Sequence, residues 1–148
     1  RRRYKRPIRT VNQVSRLPIK RALNPSHLRP PFGHYSHGLI VPSAGDLLVT
    51  SGQLGIRADE TIPEDVSDQA VLCFEAIKAI LEEGGMGFCD VIRICGFVTR
   101  REDFAPYMAV RDRYVSAPLP VSTLLIVTGF TRPEFKVEVE VTAVRPAA

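Results

Sequence analysis

The clearest pattern along the chain is an apolar residue at every third or fourth position between residues 66 and 81. This spacing predicts a helix with one apolar stripe, while charged side chains occupy the opposite face. The stripe consists of Val66, Ala70, Cys73, Phe74, Ile77 and Leu81. Glu64 and Asp65 favour its N-terminus by their charge. The Gly84-Gly85 pair predicts its end.

A second, shorter helix is predicted over residues 103–114. Asp103 is a candidate cap, and Pro106 is tolerated only in the first turn. Apolar runs bounded by turn residues predict strands over residues 38–41, 47–51, 91–99, 121–127 and 137–144. We expect the first two strands to form a hairpin. Gly96 marks a bulge or a close backbone approach within the third strand.

The resulting order, β-β-α-β-α-β-β, indicates a single α+β domain with two helices on one face of a mixed sheet. The other sheet face also needs to be buried, because its apolar residues are too numerous for a solvated surface. We expect these residues to be Leu125, Val127, Ile92 and Ile94. Burial against sister subunits of a closed symmetric assembly is the simplest arrangement.

Size and composition restrict the class of protein. A chain of 148 residues with 45% hydrophobic residues fits one globular domain. It contains no apolar run of about 18 residues, so no membrane span is predicted. Cys73, Cys89 and Cys95 are an odd number without a CxxC pair. We therefore expect reduced, buried thiols in a cytoplasmic compartment, and neither a disulfide framework nor a metal site.

The charge is unevenly distributed. Residues 1–30 hold ten Lys or Arg and no acidic residue, whereas residues 31–148 carry all 16 acidic residues. The first segment is interpreted as a basic N-terminal arm that clasps the acidic domain, residues 31–148. Binding of nucleic acid by this arm is the less favoured interpretation, because little aromatic interleaving accompanies the charge. Since the chain does not begin with methionine, we expect further residues ahead of Arg1.

Several short motifs follow one another along the domain from about Pro31 to Arg145. They are Gly-His-Tyr-Ser at 33–36, Ser-Gly-Gln at 51–53, the helix at 76–81 with its Gly-Gly stop, Glu-Asp-Phe at 102–104, Pro-Val-Ser-Thr at 120–123 and Glu-Val-Glu-Val-Thr-Ala-Val at 138–144. In this order and at these intervals the chain resembles the reactive-intermediate deaminase family, also called Rid, YjgF or endoribonuclease L-PSP.

The resemblance implies a chorismate-mutase-like homotrimer with a central barrel of sheets, helices outside and a small-molecule cleft between adjacent subunits. It also implies hydrolysis of imines and enamines to ammonia and a 2-oxo acid, without a cofactor. The family's carboxylate-binding arginine falls on Val121, so the chain resembles an arginine-free branch. Without that bidentate cation, a neutral or more apolar ligand is favoured.

The remaining site residues follow from matched positions. Glu140 corresponds to the glutamate that orients water, and alternation along the strand points it away from its valine neighbours. Tyr35 and Thr123 correspond to ligand contacts, as do backbone groups around Ser51 and Gly52. Met108 stands where some members have asparagine, which makes the cleft more apolar.

Two further kinds of side chain are candidates for the site. Arg57, in the loop after Gly52, is the preferred replacement for the missing cation, ahead of Arg100 and Arg101. His37 and His34 flank Tyr35 and could supply acid–base chemistry near neutral pH. Partly exposed loop histidines and an ordinary surface arginine are the structural alternatives.

Three functions remain open from the sequence. The first is an imine or enamine deaminase-like hydrolase with an altered site. The second is a non-catalytic ligand-binding or scaffold trimer. The third is an RNA-binding or RNA-cleaving protein, which would show steep dependence on salt. Fold alone does not decide among them.

Overall fold

The computed structural model describes residues 21–26, 30–31, 33–40 and 45–146, and all structural statements refer to them. Most of the basic arm predicted at residues 1–30 lies outside this part of the chain. The described elements are strands β1 (Arg21–Leu23), β2 (Gly38–Ile40), β3 (Gly45–Val49) and β4 (Gln53–Leu54), helix α1 (Val66–Glu83), strand β5 (Val91–Val98), helix α2 (Phe104–Arg111), and strands β6 (Val121–Ile126) and β7 (Val137–Pro146).

The main sheet is mixed and is organised around β7. Its strand order is β3-β7-β5-β6, and β4 pairs with the first half of β7. The pairs formed by β7 are antiparallel, whereas β5 and β6 run parallel. Helix α2 supplies the crossover connection that a parallel pair requires. Two helices and a mixed sheet in one domain confirm the predicted α+β class.

Helix α1 begins and ends where the pattern predicted. The Asp65 carboxylate accepts hydrogen bonds from the backbone amides of Ser67 (2.8 Å) and Asp68 (3.1 Å). These contacts satisfy two of the amides that the first helical turn leaves unpaired. Gly85 follows the helix with φ of +67°, a left-handed conformation that favours glycine.

The core lies between the helices and one face of the sheet. Phe74 and Ile77 from α1 are fully buried, as are Val139 from β7 and Ile94 from β5. Because side chains alternate along a strand, Glu138, Glu140 and Thr142 point to the opposite face. We call that face the open face; it consists of these three side chains and their register partners in β3, β5 and β6. Within the described residues, neither helix is long and apolar enough to cross a membrane.

Three local predictions differ from the structure. The predicted hairpin of residues 38–41 with 47–51 is not observed, because β2 pairs with β1 and β3 pairs with β7. An apolar run identifies a strand without identifying its partner. The strand predicted at residues 47–51 also lies two residues earlier, at Gly45–Val49. The second helix is shorter than expected, since residues 101–103 form a 3₁₀ turn.

Two side chains were also assigned wrongly. Asp103 occupies the position before α2, but its carboxylate binds Arg100 (3.0 Å from Nη2) and does not cap the helix. Ile94 was expected on the uncovered sheet face, yet it pairs with Val141 and is buried beneath the helices. Alternation is regular from Arg93 to Val98, so Ile94 shares the helix-facing side of β5 with Gly96 and Val98.

Gly96 is the close backbone approach that its place in the strand predicted. A Cβ atom at this position would lie 2.6 Å from Cζ of Tyr107 and 3.1 Å from Cδ1 of Leu124. Tyr107 is fully buried against the strand. Glycine here therefore makes room for the aromatic ring that joins α2 to the sheet.

We predict that Gly96→Ala lowers the free energy of unfolding by about 1–3 kcal/mol, the usual cost of overpacking. Urea denaturation with equal m-values would measure the loss. Gly87→Ala is the matched control, because its Cβ would meet only Sγ of Cys89 at 3.8 Å, an ordinary contact. A Gly96→Ala protein as stable as the control would show that the Tyr107 ring can move aside.

Candidate functional site

Glu140 lies near the centre of the open face. It is flanked by Val139 and Val141, which are buried on the helix side, as the alternation predicted. Its own side chain is half-buried. A carboxylate in this position is held by a paired strand, so its direction is set by the sheet rather than by a mobile loop.

A row of three polar side chains crosses the sheet at this point. Cys95 in β5 is the register partner of both Thr123 in β6 and Glu140 in β7. Adjacent strands are about 4.8 Å apart, so each side chain in the row neighbours the next. Burial raises the pKa of the Cys95 thiol, and the Glu140 carboxylate adds to this effect while Arg93 opposes it. A neutral thiol thus separates a hydroxyl from a carboxylate.

A shallow pocket opens beside this row. Its lining includes the charged side chains of Glu140 and Arg93, with Cys95 and Thr142 between them. Thr50 forms the wall: its hydroxyl accepts a hydrogen bond from the Val141 amide (3.0 Å) and extends the pairing of β3 with β7. The pocket therefore combines one anionic and one cationic group on a rigid floor.

Val121 is found on the open face at the start of β6. Its register partner in β5 is Arg93, which in turn pairs with Thr142 of β7. Arg93 was not among the site residues expected from the sequence. The signal was available in the strand itself, because Arg93 is two residues before Cys95 and so shares its face. The strand order, with β5 between β6 and β7, could not be predicted from the sequence, and it is this order that places Arg93 beside Val121.

Tyr35 and His37 are placed at the end of the sheet where β6 begins. Between them, Ser36 donates hydrogen bonds to the carbonyl oxygens of Leu119 (2.7 Å) and Pro120 (3.0 Å). The rings of Tyr35 and His37 meet edge to face at 6.1 Å. This loop is thereby fixed directly ahead of Val121.

Met108 belongs to the same end of the domain. Its Cε would lie 3.5 Å from a Cβ at Gly33, so α2 contacts the loop that carries Tyr35. The nearby His34 ring lies 3.3 Å from the Asp112 carboxylate. Neither Met108 nor Tyr35 lines the pocket around Glu140. Within one chain, Tyr35 and Met108 thus form a group separate from Glu140.

Ser51, Gly52 and Arg57 lie near β4. A Cβ at Gly52 would be 2.6 Å from Cδ of Glu138, so the backbone passes directly over that carboxylate. The Ser51 carbonyl accepts a hydrogen bond from the side-chain Nε2 of Gln53 (3.1 Å). Arg57 is exposed and donates to the Thr61 hydroxyl (3.3 Å) within its own loop. Arg57 does not line the pocket, and its proposed ligand contact stays a prediction.

The cysteines differ in exposure. All three are free thiols, and Cys73 and Cys95 are buried as expected. The expectation of burial was wrong for Cys89, which lies in the 3₁₀ turn Phe88–Asp90 and is exposed. Burial raises the pKa of the Cys73 thiol to about 12. Among the described residues, no group of three His, Cys, Asp or Glu side chains is arranged to hold a metal ion.

These features define an α+β domain that carries a polar pocket on an open sheet face. The family model Endoribonuclease L-PSP matches residues 26–145. The chain belongs to this family, the Rid or YjgF family of reactive-intermediate deaminases, as the motifs indicated.

Three relatives illustrate the similarity. TdcF of Escherichia coli K12 is 33% identical over 119 residues, covering 78% of this chain and 89% of TdcF. The structure of E. coli TdcF with bound serine superposes with a TM-score of 0.62 at 30% identity, over 84% of this chain and 98% of that chain. The 2-iminobutanoate/2-iminopropanoate deaminase of Salmonella typhimurium is 31% identical over 117 residues, 76% of this chain and 88% of that protein. The Rid-family protein YyfB of Yersinia pestis has a TM-score of 0.76 at 25% identity, over 86% of this chain and 99% of that chain.

We predict one fast-reacting thiol per chain in a disulfide-exchange assay at pH 8. A thiol with a pKa near 12 is ionised to roughly one part in ten thousand at that pH, whereas an ordinary thiol is about a quarter ionised. Cys89 should react at once because it is exposed, whereas Cys73, buried and un-ionised, should react only after unfolding.

The control is Cys89→Ser, which should abolish the fast phase and leave the denatured total one thiol lower. A fast phase that survives in this variant would show that Cys73 or Cys95 is more accessible than the structure indicates.

Proposed function

We propose that the chain hydrolyses an imine or enamine derived from an amino acid, with Glu140 as the catalytic carboxylate. The observation that carries this proposal is the row of Glu140, Cys95 and Thr123 at the edge of the pocket. It is supported by the family membership and by relatives named as deaminases of 2-iminobutanoate and 2-iminopropanoate.

The chemistry requires one carboxylate and one water molecule. Glu140 accepts a proton from water while the water oxygen forms a bond to the imine carbon, and the C=N electron pair moves to nitrogen. The proton then passes from Glu140 to nitrogen and gives a carbinolamine. Glu140 next accepts the proton of the new hydroxyl and passes it to the same nitrogen as the C–N bond breaks, so that ammonia leaves and the C–O bond becomes the carbonyl of the 2-oxo product. Thr123 contacts the ligand through its hydroxyl.

The proposed assembly is a homotrimer whose subunits cover the open face. Leu47 and Val49 in β3 are each 66% exposed, and Leu125 in β6 is 53% exposed. All three lie on the open face, where such apolar side chains favour a protein contact. In this arrangement, Tyr35 and Met108 of one subunit complete the pocket of its neighbour. Light scattering should then give three times the chain mass of 16.4 kDa.

We predict that Glu140→Gln slows ammonia release by about 10²- to 10⁴-fold, the usual contribution of a positioned general base. The substrate would be 2-iminopropanoate, generated in the cuvette by an amino-acid oxidase and followed by the loss of its absorbance. The substitution preserves the size of the side chain and removes its charge. The mass of the trimer would be checked for each variant, so that a loss of assembly is not mistaken for a loss of catalysis.

Glu138→Gln is the matched control, since it changes the same residue type on the same face two positions away. Its rate should stay within about threefold of the unmodified chain. Equal activity of the Glu140→Gln and Glu138→Gln proteins would remove Glu140 from the mechanism.

A non-catalytic ligand-binding trimer is the alternative, and Val121 is the observation that favours it. Loss of the family's bidentate cation weakens carboxylate binding by about one to two orders of magnitude. This alternative expects ligand binding without ammonia release, in both the unmodified chain and the Glu140→Gln variant.

A further inference from the structure

Arg93 lies beside Val121, the position at which the family resemblance predicts a carboxylate-binding arginine. It is the register partner of Val121, so the two side chains project from neighbouring strands on the same face. The two strands are about 4.8 Å apart. An arginine side chain is longer than that, and its guanidinium can cover the surface over Val121 or extend toward β7.

The Arg93 guanidinium is available for a ligand. The side chain is exposed, and in the described part of the chain no hydrogen bond or ion pair engages it. It nevertheless lines the pocket with Glu140. An unpaired guanidinium beside a carboxylate on a rigid sheet is suited to bind an anion bidentately.

Other arginines near the site are occupied. Arg111 is fully buried on the helix side, where Asp112 (2.6 Å) and Ser122 (3.1 Å) accept from it. Arg100 binds Asp103, and Arg57 binds Thr61 within its own loop. None of the three lines the pocket.

The separation between Arg93 and Glu140 suits a small acid. Arg93 pairs with Thr142, which lies two residues from Glu140 on the same face. Such diagonal neighbours are about 7–8 Å apart, and the two side chains do not form an ion pair with each other. The gap can accept a short 2-imino acid with its carboxylate toward Arg93 and its imine carbon toward a water held by Glu140.

We propose that Arg93 binds the substrate's carboxylate and restores, from the adjacent strand, the specificity for anionic 2-imino acids that Val121 would remove. This inference rests on the proposed function. It replaces the expectation of a neutral or apolar ligand. It also makes Arg93 a binding residue, so its loss should affect KM more than kcat.

The test measures binding and turnover separately. Titration calorimetry with 2-oxobutanoate, a stable analogue of the imine, gives Kd, and the 2-iminopropanoate assay gives KM and kcat. Arg93→Ala and Arg93→Gln should each raise Kd and KM by about 10- to 100-fold. The Kd and KM of Arg93→Lys should lie between those of these two variants and those of the unmodified chain, because lysine keeps the charge and loses the bidentate geometry.

The exchange variant Val121→Arg with Arg93→Ala sharpens the test. Since positions 93 and 121 are register partners, the double variant moves the cation by one strand. Its affinity for 2-oxobutanoate should be at least tenfold higher than that of Arg93→Ala. Arg132→Ala is the control, because Arg132 pairs with Glu134 at the surface away from the pocket. It should leave Kd and KM unchanged.

The outcomes separate the two proposals. Turnover that is unaffected by both Arg93→Ala and Arg93→Gln, in folded trimers, would overturn the role of Arg93 and leave the hydrolase proposal intact. Binding of 2-oxobutanoate that depends on Arg93 without any ammonia release would support the role of Arg93 and overturn the hydrolase proposal. Failure of the unmodified chain to bind 2-oxobutanoate would overturn the role of Arg93.

Discussion

The alternation of side chains along β7 is the constraint on which the domain depends. This strand pairs with β3, β4 and β5 and therefore sets the register of most of the main sheet. Its valines at positions 139 and 141 are buried beneath α1, and Glu138 and Glu140 point the other way. A slip of one residue would bury two carboxylates and expose the valines, at a cost that one small domain could not tolerate.

The same constraint places the chemistry. Because β5 lies between β6 and β7, Cys95 and Arg93 each have partners on both sides, and each brings together residues distant in sequence. Thr123 and Glu140 are thereby aligned across the strand that separates them. Strands hold such groups more precisely than loops do.

The pocket on the open face carries one cationic and one anionic side chain, Arg93 and Glu140. The motif match predicts that the aliphatic Val121 takes the arginine position, and its register partner is Arg93, whose side chain forms no hydrogen bond or ion pair among the described residues. Ligand binding depends on the position that a guanidinium can reach, and an arginine on a neighbouring strand can reach the same position. Family membership leaves the substrate open for this reason, since fold and motif do not specify which side chain meets the ligand.

The sequence alone determined the helix α1, the α+β class, the family and the orientation of Glu140, because these follow from local spacing and from motif order. It could not determine which strands pair. The partners of β2, the side of the sheet on which Ile94 lies, the exposure of Cys89 and the position of Arg93 opposite Val121 all required the folded structure. Hydrogen bonding between strands joins segments far apart in the chain, and no local pattern encodes the choice of neighbour.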